Sequence, residues 1–109
     1  MARGVIPVTG VNRSGVLLPN PTTGDAINKH TVENNGRVVL LVENTGSTVA
    51  RTVSFHLART VDGFSVTPRT VSVSAGDTKA CGPFNPNDYG DDLLVDVDNA
   101  ELKITAIRV

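Results

Sequence analysis

The sequence predicts an all-β domain. Three observations point there. Val, Ile and Thr recur along the whole chain, and β-branched side chains favour strands. Apolar residues alternate with polar ones, and no stretch longer than about ten residues shows the 3.6-residue period of an amphipathic helix. Turn residues interrupt the alternating runs at short intervals. Together they describe an immunoglobulin-like antiparallel β-sandwich of seven or eight short strands over residues 29–109, preceded by an extended N-terminal arm over residues 1–28. A small barrel is the alternative closure.

The elements follow in order. Residues 1–28 hold three of the six prolines and four of the ten glycines, around two apolar pieces, Val5–Val8 and Gly15–Pro19. Proline-interrupted apolar runs make poor central strands but good extended arms, able to add to a sheet edge on another molecule. A first strand pair begins near Thr31. Arg37–Glu43 (RVVLLVE) is continuously apolar in its middle, as expected of a central strand buried on both sides. In the run ending at Leu57, Val53, Phe55 and Leu57 share one face, and Thr52, Ser54 and His56 the other. Leu93, Val95 and Val97 face inward, which turns Asp96 and Asp98 to water. Leu102, Ile104 and Ala106 repeat the pattern. The turns fall at Asn34–Gly36, Asn44–Ser47, Asp62–Gly63, Ala75–Asp77 and Asp98–Ala100.

Composition narrows the function classes. A chain of 109 residues is one domain's worth and can bury a single core without metal or disulfide staples. The four aromatics are Phe55, Phe64, Phe84 and Tyr89, so the core is aliphatic. One cysteine, Cys81, excludes an internal disulfide and a thiolate zinc site, and favours an intracellular origin. The start MARGVIPVTG has no run resembling a signal peptide or membrane span. A formal net charge of −1 advertises no nucleic-acid partner. The charge is nevertheless uneven: Met1–Lys79 carries eight bases and five acids, Ala80–Val109 two bases and six acids.

Those six acids are Asp88, Asp91, Asp92, Asp96, Asp98 and Glu101. Asp88, Asp91 and Asp92, in a loop with Asn85 and Gly90, are weak candidates for a divalent cation, but their spacing is not that of an EF-hand. Asp96 and Asp98 belong to a strand face and need not converge with them, so a solvated face is the simpler reading. His30 and His56 lack metal-ligand spacing, and His56 is expected exposed. Cys81 reads as a small buried hydrophobe rather than a nucleophile. No phosphate loop, dinucleotide fingerprint or nucleophile elbow appears. No catalytic residue and no cofactor is expected.

One segment is more specific. Val61–Phe84 reads VDGFSVTPRTVSVSAGDTKACGPF, and the chain closes with Ala106–Val109. The pattern Val61-Asp62-Gly63, then Arg69-Thr70-Val71-x-Val73-x-Ala75-Gly76-x-Thr78, then Gly82-Pro83-Phe84, resembles small capsid-decoration (cement) or minor head proteins. Tailed bacteriophages encode these beside the major capsid protein. From Thr31 the resemblance covers about 79 residues. Cys81 stands where an aliphatic residue is expected, and Asp88–Asp98 is more acidic than the pattern requires.

The resemblance implies a non-enzymatic virion protein made in the bacterial cytoplasm, bound to the capsid exterior and reinforcing it. Its partner would be the major capsid protein, with neither nucleic acid nor membrane involved. A homo-oligomer, a trimer for preference, would set the basic body of one copy against the acidic last third of the next. Val5, Ile6, Val8, Val16, Leu17 and Leu18 would then be the capsid-binding residues, on an arm whose removal leaves the fold intact. The alternatives are a head–tail connector or tail component, and a carbohydrate- or host-surface-binding module; the latter is weakened by the absence of Trp.

Overall fold

A computed structural model describes residues 3–109. In chain order the elements are β1 (Gly4–Val5), β2 (Val8–Gly10), β3 (Thr22–Thr23), β4 (His30–Glu33), β5 (Val38–Asn44), β6 (Arg51–His56), β7 (Thr60–Val61), β8 (Phe64–Ser65), β9 (Arg69–Val73), β10 (Thr78–Cys81), one helical turn α1 (Pro86–Tyr89), β11 (Asp92–Val97) and β12 (Leu102–Arg108). The fold is all-β, as expected. One sheet runs β1-β4-β11-β6-β9. The second runs β10-β5-β12-β2, with β3 beside β2 on the same edge of β12.

The pairing has a simple origin. Thr60 pairs Ser65, Phe55 pairs Arg69, Leu40 pairs Cys81 and His30 pairs Val95, all antiparallel. Every one of these pairs is nearly equidistant from Asp62–Gly63. From His30 to Val95 the chain is therefore a single long hairpin. Its tip is Asp62–Gly63, both at positive φ (53° and 80°), as a two-residue type I′ turn requires. The four nested pairs are β7·β8, β6·β9, β5·β10 and β4·β11, and they alternate between the hairpin tip and the two sheets. Winding one long hairpin into two facing sheets is how a jelly roll is built.

This order departs from the immunoglobulin arrangement, in which the first strand shares a sheet with the second and the last with the one before it. Here β4 lies beside β11, and β12 beside β5. The turns at Asn34–Gly36, Asn44–Ser47, Ala75–Asp77 and Asp98–Ala100 carry the chain from one sheet to the other. Such corners leave backbone groups without ladder partners, and buried asparagines supply them. Asn44 donates from Nδ2 to the carbonyls of Val49 and Val73 (both 2.9 Å) and accepts from the Gly46 N–H. Asn34 does the same for Gly90 and Gly36.

The core lies between the sheets. Val32, Val53, Phe55, Val73, Leu93, Val95 and Val97 face it from the first; Val38, Leu40, Val42, Leu102, Ile104 and Ala106 face it from the second. Phe84 closes one end. The expectation that Arg37–Glu43 is buried on both sides is corrected: Val39 and Leu41 point outward and are only half-buried.

Candidate interaction surface

The N-terminal segment does not hang free. β1 runs parallel to β4 on the first sheet, and β2 parallel to β12 on the second, with the switch at Pro7, which has no N–H to leave unpaired. Between them the Ile6 N–H donates to the Thr31 carbonyl, and the Ile6 side chain is 1% exposed in the core. Val8 packs half-buried against the same core. Arg3 donates to the His30 carbonyl and to Asp96. Ile6 and Val8 are thus spent within the fold, and deleting the segment would remove core. Met1 and Ala2, also assigned to the arm, lie outside the described residues.

What remains outside is residues 11–21. This loop is anchored at both ends. The Val11 N–H donates to the Arg108 carbonyl (2.9 Å), and β3 pairs with Lys103 and Ile104. Between the anchors Leu17 is 95% and Leu18 50% exposed, with Val16 half-buried beside them. Val5, 70% exposed, stands apart on the edge of the first sheet. Alongside the loop anchors, the outward face of the second sheet sets Ile107 opposite Val39, and Leu41 between Thr105 and Ala80. Lys103 opposite Glu43 borders this patch. The sequence signal for it was the unbroken apolar run of β5, whose second face leaves Val39 and Leu41 half-buried.

The acidic stretch resolves into separate clamps. Asn85 caps α1 by accepting from the Asn87 N–H, and the Asp88 carboxylate meets Arg59 at 3.2 Å. The Asp91 and Asp92 side chains are exposed, and the Asp91 carbonyl accepts from Asn34. Among the described residues no three acids, histidines or cysteines are grouped as metal ligands, so Asp88, Asp91 and Asp92 do not form a common site. Asp98 accepts from the Thr52 N–H, and Glu101 meets Arg51 at 2.8 Å. Three acids of the last third meet bases of their own chain. Arg3, Arg51 and Arg59 find Asp96, Glu101 and Asp88 within one chain.

Asp96 has a second partner, His56 Nε2 at 2.6 Å. Burial pushes its carboxyl up, but the hydrogen bonds from His56 and Arg3 together outweigh this and hold it below the ordinary carboxylate value. The pairing was invisible in the sequence, since Asp96 sits opposite Ser54 and reaches His56 only diagonally. His30 is buried and accepts from the Asp25 N–H at 2.8 Å. Burial lowers its pKa, against the pull of the Asp25 charge.

A cleft of about 530 Å³ opens between the edge strands β9 and β10. Phe55, Phe84 and Tyr89 line its base in a tilted and then an edge-to-face contact (centroids 4.9 and 5.1 Å apart). Val71 and Cys81 form its walls. Cys81 is half-buried, and burial pushes its thiol up against the opposing effect of Lys79. Lys79 spans the mouth, donating to the Ser72 carbonyl at 2.8 Å.

Compared with known proteins, the chain matches no family model, no curated protein and no solved structure.

Proposed function

We propose that this chain is a non-enzymatic structural protein of a tailed-phage virion, a jelly-roll body that binds the capsid exterior and reinforces it. The observation that carries the reading is the loop of residues 11–21. Two leucines held out in water between two backbone anchors have a cost in solution that docking removes. The loop is anchored at both ends on β12, in the sheet that carries Val39, Leu41 and Ile107. The likeness of Val61–Phe84 and Ala106–Val109 to decoration proteins supplies the partner, the major capsid protein. Contacts this small suffice when hundreds of copies act on one shell.

Val16, Leu17 and Leu18 are the proposed capsid-binding residues, with Val39 and Leu41 behind them; Val5 is a secondary contact. The test is a pair of substitutions rather than a deletion. Leu17→Ser with Leu18→Ser, which touch no core residue, should abolish co-sedimentation with capsids lacking the protein while leaving the melting temperature unchanged. Full binding by the double variant contradicts the proposal.

A further inference from the structure

The nested hairpin leaves two features unused, and they fit each other. The first is its own tip. β7 and β8 pair only with each other among the described residues, so the tip continues neither sheet. Val61 is 62% and Phe64 74% exposed, and they flank the Asp62 carboxylate at the turn. An aromatic and a valine held out in water on a tight turn form an apolar knob with an acid at its point.

The second is the cleft between β9 and β10. At this position β10 is the outer strand of the second sheet. Among the described residues β10 pairs with β5 alone, and β9 with β6 alone, so both cleft walls are strand edges with unused backbone groups. The floor is aromatic, and the two charges at the mouth are both positive, Arg69 and Lys79. An apolar knob tipped with a carboxylate matches an apolar cleft rimmed by two cations. Lys79 already reaches across the mouth to a carbonyl, and a carboxylate is the stronger acceptor for it.

In its own chain the hairpin is pinned at the root. The Ala58 and Arg59 N–H groups both donate to the Asp88 carbonyl (2.8 and 3.0 Å), and the Arg59 guanidinium holds the Asp88 carboxylate. Swinging the tip into its own cleft would break these bonds. Entry into a neighbouring copy breaks none.

We infer that copies of this chain assemble head to tail, with the β7–β8 hairpin of one copy seated in the β9–β10 cleft of the next. Phe64 packs on the half-buried Val71, Cys81 and Tyr89, a hairpin strand adds to the free edge of β10, and Asp62 pairs with Arg69 and Lys79. The contact is heterologous, so it closes into a ring or continues along a lattice. It is a property of the protein alone and stands apart from the capsid reading.

The test is sedimentation velocity of the full chain over a concentration series, with the reaction of Cys81 toward a thiol reagent as a local readout. The wild type should self-associate, and Cys81 should become protected as it does. Phe64→Glu should weaken association by about 30-fold or more, as for a central aromatic anchor. Arg69→Glu with Lys79→Glu should do the same. Neither set of substitutions touches the core, so melting temperatures should hold. Mixed together, the two variants retain one intact hairpin and one intact cleft, and should form a one-to-one dimer and nothing larger. A wild type that stays monomeric at its highest soluble concentration overturns the inference. So does association indifferent to Phe64→Glu, or a mixture that forms no dimer.

Discussion

Truncating Ile6 separates a woven N-terminus from a free arm. Ile6→Ala removes three carbon atoms from a side chain 1% exposed between the two sheets. At about 0.8 kcal/mol for each buried methylene, the transfer term alone is about 2.4 kcal/mol. The cavity left behind adds to it, within the range of about 2–5 kcal/mol seen for such truncations. Ile6 is held by the short strands β1 and β2, which can close partly around the gap, so the expected loss is about 3 kcal/mol. Equilibrium urea unfolding should show the midpoint falling by at least about 1 M at unchanged slope. Leu17→Ala, made as the control, should stay within about 0.5 kcal/mol. If the two variants unfold together, residues 4–10 are not part of the core and the weaving is wrong.

Other outcomes follow from the corners and the buried histidine. Asn44→Ala strips partners from two carbonyls and one N–H at a sheet-to-sheet corner, and should cost at least about 3 kcal/mol in the same urea assay. Gly24→Ala would place a methyl 2.6 Å from the Leu102 carbonyl oxygen and should cost about 1–3 kcal/mol. Because the pKa of folded His30 lies below 6.5, the unfolded chain takes up a proton first on acidification. The stability tied to neutral His30 is thus complete above pH 6.5 and lost as pH falls through the folded value. Melting curves across that window should show the loss, and His30→Gln, which keeps an acceptor for the Asp25 N–H, should flatten it. Calcium should leave the melting temperature unchanged; a rise of several degrees would reinstate a site at Asp88, Asp91 and Asp92.

Much of the fold was legible, and the failures have one cause. Alternation identified the inward residues Val53, Phe55, Leu93, Val95, Val97, Leu102, Ile104 and Ala106, because a strand's period of two is local. The Asp62–Gly63 turn was legible for the same reason. Which sheet each strand joins is not local. Asn34–Gly36 and Asn44–Ser47 have the composition of hairpin turns, yet the buried amides of Asn34 and Asn44 make them corners. Ile6 looked like an arm residue because Pro7 follows it, and proline marks both free arms and strands that change sheets. The His56–Asp96–Arg3 cluster needed the register of β6 on β11 before it could be seen. Leu17 and Leu18 were legible as apolar residues in a proline-bounded stretch; that they stay in water was not.

The proposed function is tested most directly by quantitative mass spectrometry of purified virions from the source that the proposal implies, counting this chain against the major capsid protein. Decoration predicts hundreds of copies in a simple ratio to the capsid protein. A dozen or fewer would place the chain in the neck or tail, and none would contradict the account outright.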